Sequence, residues 1–332
     1  MDEAGMPEYL PWQSGAIEHV LQLHQQGRLP HALMLEMASH EEASALVRYL
    51  AMSLLCTNRD ELALCLSCDA CRLMQAGTYA DFNWVTLEPD EKTKKISKNI
   101  KIEQIRKLIH DVALTSRYDG LKIAVIYPAE KMNRASANAL LKTLEEPAND
   151  VLLLLATHNK GRIPVTIRSR CQSITVNLPP PDQAKQWLLQ QGLGEDDASE
   201  YLDYADGDPV LALRLREQGY SDIVKRFKTQ LLEFLRGDLG VTSLCRDLLG
   251  HDNDLVRRLV DVTLRAYSFQ ACGINRSAQK TDGEDRMSAQ MLTSLQLQAR
   301  EQLLVEENNL DLQLQLEDVL ISLKQILSRR QV

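Results

Sequence analysis

Six consecutive apolar residues, Val151 to Ala156, lie between a helix stop and a pair of arginines. A run of this length with a β-branched start reads as a strand buried on both faces of a parallel sheet, where neither face needs polar side chains. The segment before it, Asn133 to Pro147, is predicted as a helix. Asn133 suits the N-cap, because its side-chain oxygen accepts from the orphan N–H groups of the first turn. Pro147 cannot continue the helix. Ala137, Leu140, Leu141 and Leu144 recur at i, i+3, i+4 and i+7 and form one buried face. Asn138, Lys142 and Glu145 fall on a separate polar face, free to meet something else. After the strand, Thr166-Ile-Arg168-Ser169-Arg170-Cys171 is predicted as a turn, at the edge where an α/β sheet places its chemistry.

The same alternation extends over residues 32–177. Strands are predicted at 32–37, 81–87, 122–127, 151–156 and 173–177, with helices at 16–26, 41–56, 101–115 and 134–146. This pattern makes an open parallel sheet. Leu178 is followed by three prolines, which enter neither a helix interior nor a central strand, so a boundary falls there. Everything beyond is predicted helical: a small group at 183–191, 196–205 and 209–217, then longer helices at 220–236, 241–250, 253–271, 286–306 and 310–330. Residues 273–284 are polar and read as a surface loop.

The first strand–loop–helix is where a nucleotide-binding chain carries glycines to wrap phosphates and a Lys-Ser/Thr pair for charge and Mg2+. Here the loop from Met37 to Ser44 has neither glycine nor lysine, and only Ser44 matches. Glu41 and Glu42 would face the triphosphate, and like charges at that range cost roughly several kcal/mol in a partly dry site. The loop is not expected to bind ATP.

Cys56, Cys65, Cys68 and Cys71 place four thiols within sixteen residues. That set suits tetrahedral Zn2+ in a closed all-cysteine shell, which leaves no position for water and is therefore structural. The chain holds seven cysteines, and this bunching argues against a disulfide framework. The formal net charge of −8 gives no global footprint for nucleic acid. Lys92, Lys94, Lys95, Lys98 and Lys101 form a local basic stripe, read as a solvated loop. No apolar run approaches the roughly 18–20 residues that span a membrane. The acidic N-terminus lacks the regions of a signal peptide, so a cytoplasmic protein is expected.

Asn138-Ala-Leu-Leu-Lys-Thr-Leu-Glu-Glu-Pro147 and Ser169-Arg170-Cys171 resemble two signatures of the clamp-loader subunits of the AAA+ superfamily. The resemblance covers nearly the whole chain, and it implies an AAA+-type sheet domain at 1–178 with an inserted zinc module at about 56–71. It further implies a helical lid at 179–218 and a helical collar for oligomerisation at 219–332. In that family the arginine of Ser-Arg-Cys reaches the γ-phosphate of ATP on the neighbouring subunit. The resemblance implies that role for Arg170, with Ser169, Cys171, Arg168, Asn138, Lys142 and Glu145 at the same interface. Arg168 is also a candidate to brace Glu145 or Glu146.

Working ATPases of the family end the third strand with Asp-Glu, where this chain has Tyr127-Pro128. They carry a sensor-2 arginine where it has Val210, and Thr157 stands at the sensor-1 position. The resemblance thus implies a non-hydrolysing subunit that binds no ATP itself, within a replicative DNA polymerase holoenzyme. Its implied partners are gamma/tau-type and delta-type subunits in a hetero-pentamer, with the sliding clamp and primer-template DNA met through the complex. Two other readings are a divergent ATPase using Ser44 and Glu130, which the loop composition opposes, and a stand-alone zinc-dependent nucleic-acid module, which the net charge opposes.

Overall fold

A computed structural model describes residues 8–39, 43–89, 96–118, 120–271, 290–291, 293–299 and 312–328. The chain divides into two compact units, residues 1–186 and 187–332.

The first unit is an all-parallel sheet of order β2-β3-β4-β1-β5, made of β1 (Ala32–Met37), β2 (Phe82–Val85), β3 (Lys122–Ile126), β4 (Val151–Thr157) and β5 (Gln172–Val176). All seven residues of β4 are buried, as its composition predicts. It pairs with β3 through Ala124↔Leu153 and with β1 through Ala32↔Leu153. Alternation divides the side chains between two cores. Leu33, Leu35, Val125, Leu152 and Leu154 pack with α1 (Ser14–Gln25) and α2 (Ala43–Leu55). Met34, Ala124, Ile126, Leu153 and Leu155 pack with α4 (Ile102–Ala113) and α5 (Arg134–Glu145).

Three details depart from the sequence expectation. Strand β2 is shorter than 81–87. The Thr86 carbonyl accepts from Gln104 Nε2 at 2.8 Å instead of staying in the ladder. Asp81, 4% exposed, turns its carboxylate onto the loop after α4. It accepts from Ser116 Oγ at 2.7 Å, Arg117 N at 2.9 Å and Tyr118 N at 3.1 Å. Two short helices were not expected: α3 (Asp69–Gln75) within the cysteine segment and α6 (Val165–Arg168) between β4 and β5. Lys92, Lys94 and Lys95 lie outside the described residues.

The second unit is helical. Helix α7 (Pro181–Gln190) runs across the division. It is followed by α8 (Glu195–Tyr204), α9 (Pro209–Glu217), α10 (Tyr220–Arg236), α11 (Val241–Leu248), α12 (Asn253–Ala271) and α13 (Leu312–Ser328). The predicted spans 209–217, 220–236 and 253–271 match these bounds. The 273–284 loop and most of the 286–306 helix fall outside the described residues. Gly219, at φ +67°, separates α9 from α10 in a left-handed conformation that favours glycine. Leu188, Leu215, Phe227, Leu259 and Leu320 belong to one shared core, and Tyr204 packs edge-on against the fully buried Tyr220 with centroids 5.3 Å apart.

Hydrogen bonds to a buried carboxylate exceed neutral ones in strength. Asp81→Ala is expected to destabilise the first unit by about 2 kcal/mol, read as a lower urea midpoint. An unchanged midpoint would contradict the role given to Asp81.

Candidate functional site

Helix α5 is fixed at both ends. Asn133 caps it, its Oδ1 accepting from Ser136 N at 2.8 Å and from Ser136 Oγ at 3.0 Å. The Ile100 carbonyl lies 2.8 Å from the same Ser136 Oγ, so the two acceptors share its single proton. At the other end His31 Nε2 meets the Leu144 carbonyl at 3.1 Å, satisfying one of the acceptors a helix terminus leaves open. Ala137, Leu140 and Leu144 are buried, while Asn138, Lys142 and Glu145 are exposed.

Ile163 and Ile167, at 2% and 0% exposure, pin α6 into the same core as Leu140 and Leu144. This brings the two sequence signatures together, at the amino-end edge of the sheet just before β5 and not at the carboxyl edge expected for the turn, because α6 carries the chain back across the sheet before parallel β5 begins. Arg170 Nη2 donates to Glu145 Oε1 at 2.6 Å, and Arg170 Nη1 donates to the Thr166 carbonyl at 2.8 Å. Ser169 Oγ shares that carbonyl at 3.2 Å. The two charged side chains stay open, at 35% exposure for Arg170 and 51% for Glu145.

The residue that braces Glu145 is therefore Arg170, not Arg168. Arg168 is the last residue of α6, and residues two apart on a helical turn do not face each other. Arg168 Nε is buried without a hydrogen-bond partner. Cys171 is half-buried, and burial pushes its thiol up to about 11.

The carboxyl ends of the strands hold a different arrangement. Met37, 3% exposed, ends β1. Residues 40–42, which include Glu41 and Glu42, lie outside the described residues, and Ala43 and Ser44 open α2. Tyr127 follows β3 directly, and its hydroxyl lies 3.1 Å from His158 Nε2. His158 Nδ1 lies 3.1 Å from the Met37 carbonyl. A carbonyl only accepts, so Nδ1 carries the proton, and in the neutral ring Nε2 accepts from the tyrosine hydroxyl. Trp84 of β2 packs on Tyr127, with ring centroids 6.3 Å apart, and Arg48 of α2 sits 4.7 Å over the Trp84 ring. A bonded chain thus ties the ends of β1, β3 and β4. Thr157 is fully buried, and its Oγ1 accepts from Asn159 N at 3.1 Å. Glu130 Oε2 is buried without a partner. Sequence reasoning missed His158; the only signal was a histidine directly after a buried strand.

The four cysteines converge. Their Sγ atoms all lie within 4.8 Å of one another, with Cys56 to Cys65 at 3.5 Å and Cys65 to Cys71 at 4.0 Å. Metal–sulfur bonds of 2.3 Å in a tetrahedron put sulfurs about 3.8 Å apart, so the cluster fits a metal ion of that kind. Cys56 follows α2, Cys68 caps α3, and Cys71 lies in α3's first turn. The Ser67 and Cys68 N–H groups hold the Cys65 thiol down at about 6, close to the thiolate form a metal needs. Burial raises Cys56 and Cys71 in the metal-free chain. In the second unit, Asp208 caps α9 by accepting from Val210 N at 3.0 Å and Leu211 N at 3.2 Å.

The family model described as "DNA polymerase III, delta subunit" matches residues 12–180. A DNA polymerase III subunit delta' from Pseudomonas aeruginosa is 35% identical over 231 residues, covering 69% of this chain and 66% of that protein. The Haemophilus influenzae subunit delta' is 30% identical over 232 residues, covering 70% and 68%. This chain belongs to the DNA polymerase III delta-prime family.

The family match takes in the whole sheet, the cysteine cluster and the Arg170 turn, and stops at the start of α7. The pairwise matches span about two thirds of those relatives' lengths. A solved gamma-subunit-related protein from Thermotoga maritima aligns with 94% of this chain and 99% of its own, at 18% identity and a TM-score of 0.49. Among the described residues, no helix of the delta-prime chain is long and apolar enough to cross a membrane.

Proposed function

We propose that this chain is a non-hydrolysing stator subunit of a clamp loader, which helps to load the sliding clamp onto primed DNA. It binds no ATP and supplies Arg170 in trans to the ATP site of a neighbouring subunit. The observation that carries this reading is the partly exposed guanidinium of Arg170, held by two acceptors just before β5 at the amino-end edge of the sheet. A planar, permanently charged group suits bidentate contact with phosphate, and across an interface it stabilises charge developing on the γ-phosphate. The chain's own strand ends support the other half of the reading. The phosphate loop has no glycine or lysine, and the Met37–His158–Tyr127 bonds run across the edge where phosphates would lie.

The partners are gamma/tau-type and delta-type subunits in a cytoplasmic hetero-pentamer, with clamp and primer-template DNA engaged through the complex. Asn138, Lys142 and Glu145 face the neighbour beside Ser169 and Cys171. The helices after Pro181 divide into a lid to about residue 218 and a collar beyond. The metal is Zn2+, held by Cys56, Cys65, Cys68 and Cys71. With four protein ligands it supplies cross-linking of the α2–α3 connection and no open coordination position.

Arg170→Ala should leave assembly intact and lower ATP turnover at the adjoining site by roughly 10³-fold. The assay uses a reconstituted complex in which that site is the only hydrolysing one, and wild-type turnover would sink the assignment. Separately, metal analysis of protein prepared without chelator should find close to one equivalent of zinc per chain, lost on Cys65→Ser together with Cys68→Ser. Clearly substoichiometric zinc in the wild-type chain would refute the zinc claim.

A further inference from the structure

We infer that Glu145 is a positioning residue for Arg170, setting the orientation in which the guanidinium meets the neighbour's phosphate. The inference rests on the proposed trans role of Arg170 and goes beyond it by assigning what aims the side chain. An arginine has five N–H donors. Glu145 and the Thr166 carbonyl engage one each on Nη2 and Nη1, leaving the Nε donor and the second donor of each Nη for a ligand. Arginine side chains are long and carry much rotamer freedom, so two fixed acceptors on one guanidinium restrict where those remaining donors sit.

The acceptors are themselves fixed. Glu145 follows Leu144, and Thr166 precedes Ile167; Leu144 and Ile167 are 2% and 0% exposed in the same core. A site whose supports are locked by packing holds its geometry better than one on a free loop. Helix energetics give Glu145 no local purpose. It is the last residue of α5, where the helix dipole disfavours a carboxylate and favours a cation. The guanidinium it holds, 25 residues further along the chain, supplies that cation.

The contribution expected is that of an exposed pair, at most about 1 kcal/mol, which corresponds to about fivefold in rate. The test compares wild type, Glu145→Ala, Glu145→Gln, Arg170→Ala and the Glu145→Ala/Arg170→Ala double variant in the reconstituted complex with one hydrolysing site. Glu145→Ala should lower kcat about fivefold with KM and assembly unchanged. Glu145→Gln, which keeps an acceptor oxygen at the same reach, should restore most of that loss. In the Arg170→Ala background, Glu145→Ala should change nothing further, because its effect passes through Arg170. If Arg170→Ala turns over like wild type, the trans role fails and the inference fails with it. If Arg170→Ala is slow but Glu145→Ala is not, or if Glu145→Ala costs the same factor with and without Arg170, the trans role stands and the positioning role of Glu145 is overturned.

Discussion

Strand β4 has no exposed residue, and it lies between β3 and β1 with helices over both faces of the sheet. A strand in that place cannot tolerate a polar side chain without a partner, so polar groups flanking it are driven to its ends. Helix α5 enters before β4 and α6 leaves after it, and both bury side chains in one core. Glu145 and Arg170, far apart in sequence, meet because Leu144 and Ile167 share that core. The core that buries β4 thus sets the geometry of the Glu145–Arg170 pair.

The two edges of the sheet hold opposite arrangements. At the carboxyl ends of β1, β3 and β4 the Met37 carbonyl, His158 and Tyr127 are bonded to one another. At the amino edge, just before β5, Arg170 remains partly exposed, with donors to spare. On the proposed reading, a chain with net charge −8 acts on an anionic group through one cation at one interface, rather than through a basic surface.

Much of this was legible in residue patterns. Asn133 and Pro147 bounded α5 because capping and proline chemistry are local. The apolar run 151–156 gave a doubly buried strand because few environments accept one. The four-cysteine spacing suggested a shared metal, and the sulfurs do converge. What escaped depends on long-range contacts. Helix α6 is four residues long, too short for a periodicity signal, and it is held by Ile163 and Ile167 rather than by propensity. Its turn places Arg170, rather than the candidate Arg168, against Glu145. His158 was invisible because its two partners sit on other strands. In the second unit the helices were readable from amphipathic patterns, whereas the shared core that runs from Leu188 to Leu323 was not, since periodicity names a buried face without naming its partner.

The central claim is that this chain acts on a neighbour's nucleotide and holds none of its own. Titrating the purified chain with a fluorescent ATP analogue and Mg2+ tests it most directly. No saturable binding up to roughly millimolar analogue is predicted, corresponding to a binding free energy weaker than about −4 kcal/mol. Saturable binding at micromolar analogue, abolished by Ser44→Ala, would contradict the account and make the chain a nucleotide-binding subunit in its own right.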